Sequence, residues 1–599
     1  MSPQENYLRT YLQPLILHEF AGQLDPEHLV FQQTRKDFVG DITLVLFGPA
    51  KRLSMNPVAF GEHVRTCLNT LSFGGLPLVV NSEIVQGFLN ISLSAHFWMH
   101  AHREGSRPSP QASGKKVLVE FASPNTNKPL HLGHIRNILL GMAVSRLAEE
   151  AGDQVIRVQV INDRGIHICK SMLAWKKFGD GETPISSGLK GDHLVGKYYV
   201  RFDQEWRQQT EERQAAGLET KLAKEQAPIL LEAQQMLRDW EAGDPDVRSL
   251  WQTMNAWVYA GFDQTHKRLG SFFDKNYYES ETYLLGRDQV LSGLARGVFE
   301  RDPDGSVWAD LTSDGLDRKV LLRSDGTSVY ITQDIGTAIE RQTTWDADEM
   351  TYVVGNEQDY HFKVLFLVLQ RLGHDWATRC THLSYGMVDL PTGRMKSREG
   401  TVVDADDLMD EMVAAARGRS ELSDKLQELS ESDKALLFDQ VGMAALKYFI
   451  LKVDPQKRMI FHPDESIDLQ GHTGPFIQYA HARASAVLRK AVAMGFASLD
   501  DEVPLLPQSI KQAEIDLMRQ LALYVDSIES AYSQKNPALL CQYAFDLAGH
   551  YNRFYHDCPM LTPETPQDSR LFRLYLSKEV GRVLKRSLWV LGIDAPERM

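Results

Sequence analysis

The chain has 599 residues, of which 43% are hydrophobic and 24% are charged. This composition is typical of globular proteins and excludes a mainly disordered, collagen-like or coiled-coil chain. The net charge of -14 argues against a protein that coats nucleic acid nonspecifically, although local basic faces can still bind a specific nucleic acid. The length predicts about four domains.

The sequence contains no apolar run near the roughly 18 residues that a membrane-spanning helix requires. Its first residues mix charges with spaced leucines and lack the apolar segment of a secretory signal. The five cysteines are scattered, without a Cys-x-x-Cys pair, which argues against a zinc site or a disulfide framework. We therefore expect a cytoplasmic protein with no membrane partner, no tightly bound metal and no organic cofactor.

The amino-terminal part has the pattern of a small α/β domain, predicted to cover residues 1–105. Strands are predicted at 42–46 and 76–80, and a helix at 56–71. A polar stretch rich in Gly, Pro and Ser at 104–114 is typical of a linker.

A βαβ unit is predicted directly after this linker. A short apolar strand at 117–121 is followed by a loop at 123–130, and a helical pattern begins at His134 and ends near Gly152. A second strand at 154–161 completes the unit, which predicts a parallel sheet with a crossover helix.

Farther along, a polar helical segment interrupts the predicted sheet. Buried strands are predicted again at 319–322 and 350–354, and the chain after residue 471 is helical. The predicted parts are the first part of the sheet domain at 115–175, a helical insertion at 176–285, the second part of the sheet domain at 286–405, a connecting helical segment at 406–470 and a helical domain at 471–599.

The motif His131-Leu132-Gly133-His134 lies where the first strand passes into its helix. Open parallel sheets bind nucleotides at the carboxyl ends of their strands. Two imidazoles three positions apart point the same way, and the helix amino terminus attracts anions. Gly133 has no side chain and allows a base to approach the backbone. The motif therefore predicts a polyphosphate site.

The run from Glu120 to His134 resembles the HIGH signature of class I aminoacyl-tRNA synthetases, and Ser123-Pro124-Asn125 resembles the arginyl-tRNA synthetase family. The resemblance implies a Rossmann-like parallel sheet split by an insertion, a small amino-terminal tRNA-binding domain and a carboxyl-terminal helical anticodon-binding bundle. It also implies Mg-ATP, L-arginine and tRNA(Arg) as substrates. We expect a monomer.

A second segment, 393–400, resembles the mobile KMSKS loop of this family, although Arg394 replaces the first lysine. Basic side chains on such a loop follow the charge that develops as pyrophosphate leaves. Lys128 is expected to supply the missing cation, and Met395 to contact ATP together with Gly133. The resemblance assigns catalysis to His131, His134, Lys128, Arg394, Lys396, Ser397 and Arg398.

Tyr330 and Asp334 lie four positions apart, which on a helix places the hydroxyl and the carboxylate on one face. By resemblance they would hold the arginine guanidinium together with Gln358, a neutral acceptor after a strand. Glu120, Ser123 and Asn125 would hold the amino and carboxyl groups of arginine. The alternative for Asp334 is an ordinary helix carboxylate that pairs with Arg341 or with solvent.

After the second strand, Asp163, Gly165 and His167 either line the site or only shape the loop.

The segment 474–483 and the last residues resemble the anticodon-binding domain of the family. The resemblance assigns anticodon binding to Phe476, Tyr479, Tyr551 and Met599, because exposed aromatic rings stack on unpaired bases. The alternative is that these aromatic rings, and Tyr555, fill the core of the bundle. A basic face at Arg582, Lys585 and Arg586 would follow tRNA phosphates or lie in solvent.

The function that the resemblance implies is an arginine–tRNA ligase that forms arginyl-adenylate and then arginyl-tRNA. Two alternatives stay open. A small nucleotidylyltransferase also uses His-x-Gly-His, but it would have no use for the long helical domain. A noncatalytic tRNA-binding protein would explain the altered KMSKS-like loop. Among synthetases, the cysteine enzyme is disfavoured because no cluster of zinc ligands is present.

Overall fold

The computed structural model describes residues 3–35, 37–73, 76–105, 114–389, 403–418, 429–468, 471–496 and 504–599. The loop residues Arg394, Met395, Lys396, Ser397 and Arg398 lie outside the described residues, as does most of the predicted linker at 104–114. Within the described ranges, no helix combines the length and the apolar character that crossing a bilayer demands.

The amino-terminal domain is built on a four-stranded antiparallel sheet. The strands, in spatial order, are Val30–Gln33, Ile42–Val45, Phe88–Leu93 and Val79–Val85. Its helices are Pro3–Glu19, Phe47–Arg52, Pro57–Thr70 and Ala95–Gly105.

The strand predicted at 42–46 and the helix predicted at 56–71 are confirmed. Asn56 begins this helix because its side chain accepts a hydrogen bond from the amide of Val58 at 2.8 Å. The single strand predicted at 76–80 is wrong, since Leu76–Pro77 belongs to a separate hairpin and the sheet strand starts at Val79. Pro77 has no amide hydrogen to donate, which is consistent with the break.

A five-stranded parallel sheet forms the second domain, as predicted. Its strands, in spatial order, are Cys380–Tyr385, Glu349–Gly355, Lys116–Glu120, Gln154–Ile161 and Lys275–Tyr278. The predicted strands at 117–121, 154–161 and 350–354 are confirmed. Because all five strands are parallel, their carboxyl ends meet at one edge of the sheet.

The crossover helix of the βαβ unit spans Leu132–Glu150, two residues earlier than predicted, and most of its side chains are buried. It lies directly on the first strand at Gly141, where an added Cβ would come within 2.2 Å of the Phe121 ring. A larger residue at this position would push the helix away from the sheet.

Two strand predictions need correction. Residues 275–278 were assigned to the helical insertion, yet they form the edge strand beside Gln154–Ile161. The strand Lys319–Leu322 exists but belongs to a separate antiparallel sheet with Val307–Ala309 and Glu300–Arg301. The physical reason is that a run of four residues reports its burial and not its pairing partner.

The predicted insertion is otherwise helical, and the segment after residue 471 is helical as predicted. Helix Ile166–Phe178 ends where the predicted insertion begins, and the insertion itself contains Pro184–Ser187, Gly191–Ala215, Thr220–Glu225, Pro228–Ala242 and Pro245–Leu269. The carboxyl-terminal helices are Gly474–Ala493, Gln512–Ala522, Tyr524–Ser533, Pro537–Asp557 and Gln567–Val590. Among the described residues, the remaining α-helices are Glu279–Thr282, Arg287–Ala295, Tyr330–Trp345, Asp359–Arg371, Ala405–Gly418, Glu431–Leu451 and Pro463–Ser466.

The far end of the crossover helix is bound to the carboxyl-terminal domain. Arg146 donates to the carbonyl oxygen of Trp589 at 2.9 Å, which places a cation at the negative end of helix Gln567–Val590. The carboxylate of Glu150 accepts hydrogen bonds from Tyr524 at 2.9 Å and from Arg586 at 2.5 Å. One helix thus connects the sheet edge with the helical domain.

Candidate active site

His131 and His134 form the start of the crossover helix. His131 has an extended backbone, with φ -138° and ψ 175°, and its Nδ1 accepts a hydrogen bond from the amide of Gly133 at 3.1 Å. The Nδ1 of His134 accepts from the amide of His131, also at 3.1 Å. The two ring centroids lie 3.9 Å apart. The helix start therefore fixes both rings side by side.

Both imidazoles are neutral at physiological pH. Burial, reinforced by the charge of Lys128, lowers the pKa of His131 to about 3. Burial also lowers the pKa of His134 well below its ordinary value, with smaller contributions from His131 and Lys128. Because each Nδ1 accepts a backbone hydrogen bond, each neutral ring carries its proton on Nε2. Each histidine therefore offers an N–H donor to a bound anion.

A cavity of about 250 Å³ lies beside His131. It is bounded by the loop before the crossover helix, by the inserted helix Gly191–Ala215 and by the chain just after the undescribed segment 390–402. Its polar lining residues are Lys128, His131, His193, Lys197, Tyr199 and Asp404. Lys128, which was predicted to replace a loop lysine, thus lies with His131 at one cavity.

The loop after the first strand has an unusual backbone. Ala122 and Ser123 have positive φ values of 70° and 45°, which side chains other than glycine seldom adopt. Asn137 of the crossover helix stabilises this turn by accepting the amide hydrogen of Ala122, while its amide nitrogen donates to the carbonyl of Val353 at 2.8 Å. Sequence reasoning missed Asn137, which connects the ends of two strands.

Ser123 joins the neighbouring strand and Glu120. Its hydroxyl accepts the amide hydrogen of Val160 at 3.2 Å and donates to Glu120 at 3.3 Å. Asn125 is exposed just beyond this turn, where it forms an isolated bridge with Asn162.

Glu120 forms an ion pair with Arg341 that sequence analysis did not anticipate. Arg341 is 1% exposed, and its guanidinium lies 4.9 Å from the ring of Tyr277. Burial disfavours the charged form, but Glu120, together with Tyr352 and Tyr277, outweighs this effect and holds the pKa of Arg341 above its ordinary value. The suggested pairing of Asp334 with Arg341 is therefore wrong.

Asp334 instead contacts His361. The Nε2 of His361 lies 2.6 Å from the Asp334 carboxylate, whose side chain remains 47% exposed. Tyr330 and Asp334 lie on one helix, Tyr330–Trp345, as predicted, and Tyr330 at its first position is exposed. Gln358 is exposed too and lies three residues before His361. The contact brings the two predicted guanidinium-binding segments together.

Glu279 is a further carboxylate at this edge of the sheet, directly after the strand Lys275–Tyr278. Burial raises the pKa of Glu279; Arg164 opposes this increase, whereas the nearby charges of Asp163 and Asp334 add to it. Asp334 and Glu279 therefore act on each other electrostatically. No sequence signal pointed to Glu279, because its strand was not predicted.

Asp163 has a structural role in this molecule. Its carboxylate accepts hydrogen bonds from Tyr259 at 3.0 Å and from the Ser280 amide at 2.8 Å, and the side chain is buried. Gly165 begins helix Ile166–Phe178 with a positive φ of 104°. His167 lies 3.1 Å from the hydroxyl of Tyr199, at the rim of the cavity. Of the two possibilities for this loop, the structure favours loop shaping for Asp163.

Comparison with known proteins decides the family. The sequence-family model described as "tRNA synthetases class I (R), catalytic domain" matches residues 102–462, and the family model described as "DALR anticodon binding domain" matches residues 477–599. The arginine–tRNA ligase of Flavobacterium psychrophilum is 52% identical over 589 residues, which cover 96% of each chain. The chain belongs to the arginyl-tRNA synthetase family. The resemblance seen in the sequence is confirmed.

Solved structures agree with this membership. Thermus thermophilus arginyl-tRNA synthetase superimposes with a TM-score of 0.78 at 26% identity and covers 99% of this chain and 100% of its own. The Plasmodium falciparum arginyl-tRNA synthetase, at 19% identity, shares the fold with a TM-score of 0.74 over the full length of both chains. Membership of this family removes the small nucleotidylyltransferase and the cysteine enzyme as alternatives.

In this synthetase, the aromatic residues of the helical domain fall into two groups. Tyr551 is 0% exposed, so its ring fills the bundle core and cannot stack on a base, contrary to prediction. Tyr479 and the 41% exposed Tyr555 flank Arg483, whose guanidinium lies 4.8 and 4.9 Å from the two rings. Helical spacing alone could not tell the inner face from the outer face.

Phe476 and Met599 are partly buried. The ring of Phe476 packs on Phe545 with centroids 5.1 Å apart, and Met599 packs against the domain core. The predicted basic face is partly paired: Arg582 contacts Glu579 at 2.8 Å, Arg586 contacts Glu150, and Lys585 is exposed.

Proposed function

We propose that this synthetase activates L-arginine with Mg-ATP and transfers the arginyl group to the 3′-terminal adenosine of tRNA(Arg). One observation carries the proposal. Two neutral histidines present Nε2–H donors at a helix amino terminus, on the edge of the sheet where the strands end. This arrangement suits a polyphosphate whose charge shifts during reaction.

In the first step, a carboxylate oxygen of arginine attacks the α-phosphorus of ATP. A carboxyl–phosphate bond forms, the bond from the α-phosphorus to the bridging oxygen breaks, and pyrophosphate leaves with the electron pair. His131 and His134 donate from Nε2 to phosphate oxygens, and Lys128 and the basic loop at 394–398 balance the charge that moves outward. These groups orient the two substrates and stabilise the charge of the transition state, and they form no covalent bond to the substrate.

In the second step, the 2′-hydroxyl of the terminal adenosine attacks the carbonyl carbon of arginyl-adenylate. The new ester bond forms as AMP leaves with the electron pair, and the hydroxyl proton is released. The family generally requires bound tRNA before it activates arginine, and we propose the same coupling here.

We propose that Asp334, Tyr330 and Gln358 bind the arginine guanidinium, with Glu279 as an additional carboxylate. The exposed carboxylate of Asp334 is available for paired hydrogen bonds to a planar guanidinium. Lysine would leave some of these acceptors unpaired, at a cost of about 1–3 kcal/mol for each acceptor that the bound substrate shields from water. Glu120, Ser123 and Asn125, at the neighbouring strand end, are proposed for the amino and carboxyl groups.

For tRNA, we propose that Phe476, Tyr479 and Met599 contact the anticodon, with Arg483 and Tyr555 beside Tyr479. The exposed edge of Tyr555 and the cation between the two tyrosines support stacking with bases. The amino-terminal domain at 1–105 is proposed to contact tRNA too. The monomeric state stays a prediction, and the five free thiols support our proposal of a reducing, cytoplasmic location.

The deciding experiment is charging of total tRNA with each of the twenty labelled amino acids and Mg-ATP, together with ATP–pyrophosphate exchange in the presence and absence of tRNA. We expect charging with arginine alone and exchange that requires tRNA. Binding of tRNA without activation of any amino acid would refute catalysis and favour the noncatalytic tRNA-binding alternative.

A further inference from the structure

A cluster of charged side chains joins the inserted helices to the chain that follows segment 390–402. The insertion contributes Lys190, Asp192 and His193 from the start of helix Gly191–Ala215, and Thr265 from helix Pro245–Leu269. Residues 403–407, which follow segment 390–402 and form the returning chain, contribute Asp404 and Asp406 at the start of helix Ala405–Gly418.

The returning chain pairs directly with the histidine motif. The amide of Leu132 donates to the carbonyl of Val403 at 3.2 Å, and the amide of Ala405 donates to the carbonyl of Leu130 at 3.0 Å. Between them, His131 and Asp404 form an antiparallel bridge. The backbone positions of His131 and Asp404 are therefore set together.

Asp404 has two roles in this contact. One carboxylate oxygen accepts the amide hydrogens of Asp406 at 2.8 Å and Asp407 at 3.3 Å, which begins the helix. The other oxygen lies 3.3 Å from the Nε2 of His193. Both His193 and Asp404 also line the cavity that contains Lys128 and His131. Helix Gly191–Ala215 therefore contacts, through His193, the residue Asp404 that pairs with His131.

Lys190 also contacts the returning chain, at Asp406, beside the buried Asp192. Its ammonium group contacts Asp406, lies 3.2 Å from Asp192, and donates to Thr265 at 2.6 Å. Asp192 is 0% exposed. Although Asp192, His193 and Asp406 offer ligand atoms within 4.8 Å of one another, the Lys190 ammonium already supplies the cation between the carboxylates.

We propose that Lys190 and His193 are positioning residues for adenylate formation. They fix Asp404 and Asp406, and the backbone pairing of residues 403–405 with 130–132 transmits that position to His131. Neither side chain needs to touch ATP in this scheme. The inference deepens the proposed function, since it concerns the same phosphate-binding histidine.

The test is ATP–pyrophosphate exchange by full-length Lys190→Met and His193→Ala in the presence of tRNA. A displacement of about 1 Å at a catalytic group lowers rates about 100-fold, so we expect kcat to fall by about 10- to 100-fold. The KM for arginine and the Kd for tRNA should stay within about twofold, because the residues proposed for the guanidinium, Tyr330, Asp334 and Gln358, lie on distant segments that the cluster does not contact. Lys190→Arg, which retains the charge, should recover most of the rate.

Arg268→Met is the matched control. Arg268 contacts Asp410 at 2.6 Å. It therefore joins helix Pro245–Leu269, which contributes Thr265 to the cluster, to helix Ala405–Gly418 at a point farther from Asp404. We expect it to retain the wild-type kcat within about twofold, because exposed ion pairs contribute little.

The possible outcomes separate the two claims. An equal loss in Arg268→Met would overturn the inference, as would wild-type kcat in both cluster variants. If Lys190→Met does not fold, as judged by its urea midpoint, the half-buried His193 decides the result through His193→Ala alone. Failure of the wild-type chain to charge arginine would instead refute the proposed function.

Discussion

The backbone amide of His131 donates a hydrogen bond to the Nδ1 of His134 over 3.1 Å. This bond determines which nitrogen of His134 carries the proton, because an Nδ1 that accepts a hydrogen bond leaves the proton on Nε2. The helix start therefore both satisfies a backbone donor and prepares a second donor for the substrate.

Replacement of His134 should separate these two effects. His134→Asn retains an acceptor near the Nδ1 position but loses the Nε2 donor, whereas His134→Gln can supply an amide N–H near Nε2. We expect Asn to lower kcat for ATP–pyrophosphate exchange by about 100- to 1,000-fold, as loss of one transition-state donor does, and Gln to lower it less. Filter binding should show unchanged tRNA affinity; equal losses in exchange and tRNA binding would contradict the assigned role.

Asp334→Asn should raise the KM for arginine. The substitution removes the negative charge beside His361 and replaces one carboxylate acceptor by an amide donor, which weakens guanidinium binding by about 1–3 kcal/mol, or about 5- to 150-fold. Steady-state charging at saturating ATP measures this change. Glu340→Gln, farther along the same helix, serves as the control and should leave the KM unchanged. Comparable shifts in the two variants would argue against a specific contact.

Arg341→Met should destabilise the sheet domain. It leaves Glu120, which is 12% exposed, without its cationic partner, and breaking a buried ion pair in this way typically costs about 3–5 kcal/mol. Urea unfolding measured by fluorescence should show a clearly lower midpoint. In contrast, Arg318→Met breaks a more exposed pair with Asp302, 2.8 Å apart, and should leave the urea midpoint almost unchanged.

Acid should destabilise the protein through His131. Its pKa is about 3 when folded, and about 6.5 when unfolded, so between these values the unfolded chain binds the proton and the folded chain does not. The free energy of unfolding should therefore fall as pH drops from about 6.5 towards 3, by up to about 1.4 kcal/mol per pH unit. His131→Asn should show a shallower slope in urea titrations at several pH values, and an identical slope would contradict a buried neutral imidazole.

The sequence predicted the parts of the site that are local in the chain. The positions of His131 and His134 follow from a strand and a helix joined by a short loop, and Tyr330 and Asp334 share a helix face because they are four residues apart. In each case a regular backbone converts spacing into geometry.

Contacts between distant segments could not be predicted in this way. Glu120 and Arg341 are separated by 221 positions, and their pairing depends on the order of strands in the sheet. The strand at Lys275–Tyr278 is short and polar, so its only strong determinant is the edge it completes. Tyr551 was misassigned because an aromatic residue on a helix looks the same in sequence whether it faces the core or solvent.

The crossover helix Leu132–Glu150 connects the proposed phosphate site at its first turn with the carboxyl-terminal helical domain at its last turn. Its 19 residues extend about 28 Å at 1.5 Å per residue. A tilt of about 2° around Arg146 and Glu150, where it is bound to the helical domain, moves its first turn by about 1 Å, a displacement that costs about 100-fold in rate. We therefore expect the rigidity of this joint, far from the proposed phosphate contacts, to limit how well the reacting groups are aligned.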